Sequence, residues 1–180
     1  MRMKTRICRD ETKIHAFLSR TPTGYLGLST GDIPYIVPLN YVWHEGNVYF
    51  HGASEGRKID MIRENPNATF VVCENYGTIA DPIPAKTDTA YLSVMLFGKV
   101  EIVEDLTDAT SAMQQLLNKY VPGYFQTPLA ASHVEKYRSS LGSKTAVCKF
   151  VPSEMTAKEN VMVEEKAFYP GREVTMDVKG

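Results

Sequence analysis

Residues 23–52, TGYLGLSTGDIPYIVPLNYVWHEGNVYFHG, decide the fold class. Thr23 to Thr30, Ile33 to His44 and Asn47 to Gly52 are rich in aromatic and β-branched residues, which fit a pleated and partly buried surface. Gly31-Asp32 and Glu45-Gly46-Asn47 separate them. Connections this short leave no room for a crossover, so the three strands form an antiparallel meander.

The flanking sequence extends that sheet. Upstream, Asp10 is placed to cap a short helix whose Ile14, Phe17 and Leu18 share one face and which ends before Thr21-Pro22. Downstream, GRKIDMIREN reads as a helix with Ile59 and Ile62 on one side and Pro66 past its end. Asn67 to Glu74 is the next strand. Asn75 to Asp88, carrying Gly77, Pro82 and Pro84, is predicted as a long loop serving as a lid or a partner-contacting arm. Thr89 to Glu104 is the longest strand signal, with Gly98 marking a bend or bulge. Leu106 to Tyr120 is an amphipathic helix with Met113, Leu116, Leu117 and Tyr120 in a stripe; a second helix is predicted from Leu129 to Arg138, and Lys144 to Val151 closes the sheet. The fold class is mainly β: about six antiparallel strands with short flanking helices, one inserted after the third strand. Closure into a full or partial barrel removes the edges of so small a sheet. Residues 1–160 are expected to form a single domain, and 161–180 a C-terminal extension that docks on a partner subunit or stays mobile.

The 180-residue chain has a formal net charge of -1 and 43% hydrophobic residues. One compact domain follows from the length. Near-zero charge supplies no global field for nucleic acid or anionic lipid, so any anion must be held by a local cluster. The polar N-terminus has no apolar core of a signal peptide, and no stretch approaches the roughly 18–20 apolar residues of a membrane span. A soluble, cytoplasmic protein is expected. Cys8, Cys73 and Cys148 fit no CxxC pattern and read as reduced thiols, with Cys73 and Cys148 as buried small hydrophobes.

His51 to Lys58, HGASEGRK, carries the chemistry. Arg57 and Lys58 stand in the first turn of a helix, where the dipole disfavours a cation by roughly 0.3–1 kcal/mol. Free backbone N–H groups, two cationic side chains, the Ser54 hydroxyl and the side-chain-free Gly52 and Gly56 compose a phosphate cradle. The competing reading is a polar turn whose Arg57 and Lys58 point into water or pair with Glu55 or Asp60. Pro38 is a second oddity, since inside VPLNYVW it deletes a ladder hydrogen bond. Either the strand is an edge, or a planar ligand lies against the Val37 to Tyr41 backbone.

In this order, VPLNYVW, YFHGASEGRKIDMIRENP and YLSVMLFGKVEIVED resemble the pyridoxamine 5'-phosphate oxidase-like FMN-binding split-barrel superfamily, and within it the nitroimidazole-resistance branch. The resemblance covers about Arg6 to Asn160. It implies that Val37, Pro38, Leu39 and Asn40 border the isoalloxazine of FMN, that Ser54, Arg57 and Lys58 hold its phosphate, and that Ser93 and Val94 approach it from a neighbouring strand. It also implies a homodimer with the flavin between subunits. True pyridoxamine phosphate oxidases carry basic residues on the second strand and an arginine motif near the C-terminus. Here Ile33 to His44 contains neither Arg nor Lys, and FYPGREVTMDVKG does not match that motif, so vitamin B6 oxidation is not expected.

His51 resembles the active-site histidine of the nitroimidazole branch, which implies a general-acid role; a histidine ending a strand is otherwise a surface residue. His15, His44 and His133 have no metal-ligand spacing with it or with each other, and no metal site is expected. There is no GxSxG elbow and no GxGxxG after a strand. Three functions remain open: an FMN-dependent oxidoreductase for a small flat electron acceptor such as a nitroaromatic or quinone, a flavin-binding protein without turnover, and a haem protein of the same fold with a histidine as axial ligand.

Overall fold

The computed structural model describes residues 3–138 and 142–178. Residues 1–2 and 139–141 of the expected domain and 179–180 of the expected extension lie outside the described residues. Asp10 caps α1 (Glu11–Arg20), its carboxylate accepting from the Lys13 N–H at 2.9 Å, and Ile14, Phe17 and Leu18 are buried as their spacing requires. The hairpin β1 (Thr23–Thr30) and β2 (Ile33–Asn40) turns at Gly31. β3 (Val42–His44) and β4 (Asn47–Ala53) follow, joined by Glu45 and Gly46, both at positive φ (50° and 75°). That pairing of conformations matches the right-handed twist of the flanking strands. Then come α2 (Arg57–Glu64), β5 (Asn67–Ile79), β6 (Asp88–Ile102), α3 (Leu106–Tyr120), α4 (Ala131–Lys136), β7 (Thr145–Asn160) and a four-residue α5 (Val174–Asp177).

The strands form one antiparallel sheet in the order β2-β1-β5-β6-β7-β4-β3. Its two end strands, β2 and β3, are consecutive in the chain. The predicted single strand Ile33 to His44 is therefore two: at Tyr41 the chain steps from one end of the sheet to the other, and the covalent backbone carries the barrel across its split. Side chains hold this seam. The Tyr120 hydroxyl accepts from the Tyr41 N–H at 2.8 Å and lies 2.5 Å from the Pro22 carbonyl, the Tyr41 hydroxyl donates to Leu18 O at 2.7 Å, and Lys119 Nζ donates to Thr21 O at 2.8 Å. The Lys119 ammonium also sits 3.9 Å from the centre of the Tyr41 ring.

Other expectations change: the closing strand predicted to end at Val151 runs to Asn160, and the helix predicted from Leu129 to Arg138 spans Ala131–Lys136. The predicted loop Asn75 to Asp88 is mostly strand, because a bulge at Asn75/Gly77 absorbs the irregular glycine and β5 continues to Ile79; the connection shrinks to residues 80–87. Asn75 Oδ1 accepts from the Gly77 N–H at 2.7 Å, and Gly77 takes φ +117°, so the bulge pays for its own break in pairing. Cys73 is exposed rather than buried, since strand alternation puts Val72 inside and Cys73 out. Cys8 and Cys148 are buried and all three are free. Gly98 does mark a bulge, where a Cβ would come within 2.0 Å of Val151 O.

The main core fills the barrel around Phe17, Leu26, Tyr41, Phe50, Phe70, Leu96 and Phe150, each almost fully buried. A smaller core lies outside, where Ala109, Ala112 and Leu116 of α3 cover Val42, Tyr49 and Val147. The segment after Asn160 runs back along its own chain. Ala80 N–H donates to Lys166 O, Phe168 N–H donates to Thr78 O, and Lys166 pairs with Asp81 at 2.7 Å. Arg172 ties the end down, reaching Asp177 at 2.6 Å and the carbonyls of Ala167 and Glu165 at 2.7 Å. Among the described residues no helix is long and apolar enough to cross a membrane, and no three His, Cys, Asp or Glu side chains gather as a metal site.

Candidate functional site

β4 delivers the chain to the open end of the barrel, and Ser54 to Gly56 turn it into α2. Gly56 holds φ +96° at the helix start, a conformation that favours glycine, and no side chain caps that end. The first N–H groups of α2 are thus left to an external acceptor. α2 seats itself by burying Ile59, Met61 and Ile62. That orientation sends Lys58 back across β4: its Nζ lies 2.7 Å from where a Cβ on Gly52 would stand and 5.4 Å from the centre of the Phe50 ring. A side chain at 52 would displace the ammonium from this position. Lys58 is half-buried, and among the described residues it has no ion-pair partner. Burial lowers its pKa from the usual lysine value.

Arg57 lays its guanidinium over the Tyr35 ring at 4.8 Å, which connects α2 to β2. Arg63 reaches Ser54 O at 3.4 Å, and the Ser54 N–H donates to Lys144 O at 2.9 Å, fixing the turn. Neither Arg57 nor Lys58 pairs with Glu55 or Asp60 among the described residues. Ser54, Arg57 and Lys58 stand at one uncapped helix start, with Arg57 turned to Tyr35 and Lys58 to Phe50; a hydroxyl and two cations are side-chain chemistry that a phosphate takes. Tyr35 was not singled out from the sequence. Its signal was the period of two that places it on the face of Val37 and Leu39, all three half-buried against the core.

Pro38 stands opposite Tyr25 on β2, which has β1 as its sole sheet neighbour. The edge explanation accounts for the proline, and the far side of the Val37 to Asn40 backbone has no strand against it. Pro38 and Asn40 are exposed. His51 is exposed and opposes Val147 in β7; by alternation its imidazole leaves β4 on the face away from Gly52 and the Lys58 ammonium. Desolvation by the surrounding protein, then the Lys58 charge, lowers its pKa from the usual histidine value. Ser93 and Val94 lie on β6, three strands from β2 and so about 14 Å away. Val94 is fully buried in the core, whereas Ser93 lines a small cleft with Met95 and Phe97.

A sequence profile of pyridoxamine 5'-phosphate oxidase matches residues 10–159, which take in nearly the entire sheet and the α2 turn. This chain belongs to the pyridoxamine 5'-phosphate oxidase family. No curated protein sequence matches it. Solved structures share the fold of this oxidase-family chain. The flavocytochrome Anf3 of Azotobacter vinelandii superposes with a TM-score of 0.75 at 22% identity, over 92% of this chain and 76% of that one. A proposed 5-nitroimidazole antibiotic resistance protein of Bacteroides thetaiotaomicron gives 0.67 at 23%, over 84% and 85%. An FAD and haem binding protein of Mycobacterium smegmatis gives 0.70 at 15%, over 89% and 78%.

This oxidase-family sheet also presents an apolar outer face. Ile36 and Pro38, Tyr25, Val71, and Met95 with Phe97 lie side by side across β2, β1, β5 and β6, with Val71 registered against both Tyr25 and Met95. Ile36 is 69% exposed and Tyr25 43%.

Proposed function

We propose that this chain is a flavin-dependent oxidoreductase that holds the FMN portion of its cofactor on the α2 turn and works as a homodimer. The observation that carries the reading is the half-buried Lys58 ammonium beside an uncapped helix start, a cation desolvated without an anion to balance it. In this reading Ser54, Arg57 and Lys58 grip the phosphate, and Val37 to Asn40 offer the open edge of β2 to the isoalloxazine. The flavin, when bound, supplies electron transfer; the protein supplies orientation, electrostatics and exclusion of water. Ser93, too far from β2 in its own chain, would meet the flavin from the second copy across the apolar outer face. A small flat acceptor, nitroaromatic or quinone, suits a site with no basic residue on β2 to hold a second phosphate. The free cysteines suit a reducing, cytoplasmic setting.

Flavin binding by Arg57→Ala/Lys58→Ala is the test. Loss of binding with an unchanged thermal transition supports the cradle, and unchanged affinity refutes it. Turnover is tested by reducing the bound flavin without oxygen and adding a nitroaromatic: reoxidation no faster than that of free FMN makes the protein a binder and not an enzyme. A second reading, haem with His51 as axial ligand, draws on the likeness to a flavocytochrome and to a haem-binding structure, and on an imidazole whose pKa is lowered. A Soret band in the purified protein that vanishes in His51→Ala would establish it.

A further inference from the structure

Resting on the flavin reading above, we propose that Tyr35 is the positioning residue that lets Arg57 select a phosphorylated flavin: its ring braces the guanidinium, whose N–H edges then meet the phosphate.

The brace joins two parts of the chain that are each held in place. β2 carries Tyr35 on its core-facing row with Val37 and Leu39, opposite the buried Leu28 of β1. α2 is seated by its buried Ile59, Met61 and Ile62. Between them the Arg57 guanidinium carbon stands 4.8 Å from the centre of the Tyr35 ring. A cation within about 6 Å of a ring centre is drawn to its face.

Stacking occupies the flat face of a guanidinium and leaves its in-plane N–H groups for other partners. No carboxylate pairs with Arg57 among the described residues. Those N–H groups form a fork that takes two oxygens of one phosphate. An arginine free in solvent spreads over many rotamers, and a ring that orders it beforehand removes part of the entropy lost on binding.

Lys58 has a comparable support, its Nζ standing 5.4 Å from the centre of the Phe50 ring. A lysine is a point charge whichever way it turns, whereas an arginine fork must be aimed, so bracing matters most at Arg57. Phe50 is fully buried in the main core, while Tyr35 is half-buried at its margin. Of the two rings, Tyr35 is the one whose exchange leaves no cavity inside the barrel.

The experiment titrates the full-length protein, stripped of cofactor, with FMN and separately with riboflavin, which lacks the phosphate. Wild type should bind FMN at least about tenfold tighter than riboflavin. Tyr35→Phe, which keeps the ring, should hold that preference within about twofold. Tyr35→Leu should shrink it by about fivefold or more through FMN alone, with riboflavin affinity kept within about twofold. Tyr35→Met refills the same space and repeats the measurement should Tyr35→Leu unfold. In an Arg57→Ala background, Tyr35→Leu should lower FMN affinity no further, because the ring has nothing left to hold. An unchanged preference in Tyr35→Leu, an equal loss of both flavins, or a full further loss in the Arg57→Ala background overturns the brace and leaves the flavin reading standing. Equal wild-type affinity for FMN and riboflavin overturns the phosphate cradle and the brace together, and failure to bind either overturns the flavin reading itself.

Discussion

The Lys58 ammonium is folded over Gly52 and set against the Phe50 ring, and burial lowers its pKa. A depressed cation pKa means that the unfolded chain holds more protons below the ordinary lysine value of 10.5, so stability rises with pH through that window. Lys58→Met keeps the stem and removes the charge. The cofactor-free variant should be at least as stable as wild type at pH 7 by thermal unfolding, while flavin affinity falls by about tenfold or more, the scale of one lost charge-assisted hydrogen bond at about 1.5–3 kcal/mol. The neighbouring thiol behaves oppositely. Burial pushes Cys148 up to about 11 from 9.0, with the Lys58 charge opposing. The folded state then holds the extra proton, and the stability it contributes is full below pH 9 and lost as pH rises through about 11. Thiol counting at neutral pH should find one fast-reacting cysteine, Cys73, with Cys8 and Cys148 reacting only after denaturation; three fast thiols would contradict the packing.

At the scale of elements, the last turn of α3 does more than its amphipathic stripe suggests. Tyr120 and Lys119 fasten Pro22, Thr21 and Tyr41, the residues around the step between the two ends of the sheet. Tyr120→Phe leaves the Tyr41 N–H without its acceptor in a buried setting, so a loss of about 1–3 kcal/mol in denaturant unfolding is expected. Lys119 is brought down to about 8 from 10.5 by burial, against the pull of the Tyr41 ring, which favours the cation. The unfolded chain therefore binds more protons between those values, and wild type should gain stability over Lys119→Met as pH rises from about 8 toward 10.5. The helix itself was legible in the 3.6-residue period of Leu106 to Tyr120, but its clasp on Tyr41 was not. Nothing local distinguishes a tyrosine that packs from one whose hydroxyl meets a backbone 79 residues away.

At the scale of the whole molecule, the proposed homodimer would tie assembly to the cofactor through the apolar outer face. Met95→Glu puts a charge in the middle of that face, on a side chain already 39% exposed in the single chain. The expected outcome is a monomer in sedimentation, with the fold retained by circular dichroism and flavin affinity reduced, because Ser93 of a second copy is no longer delivered. A monomeric wild type that binds flavin normally would refute the shared site.

The sequence by itself determined the mainly β class, the cap of α1, the stripes of α1 and α3 and the bulge at Gly98, because each is written in residues near one another: a capping aspartate, turn glycines, and period-two and period-3.6 spacing. Only the tertiary structure decided that Ile33 to His44 divides at Tyr41 and joins the opposite ends of the sheet, that Lys58 lies across Gly52, and that Arg57 stacks on Tyr35. It also decided that Cys73 faces out and that Ser93 stands three strands from β2. These depend on strand order and register, which long-range pairing sets and which no local pattern encodes.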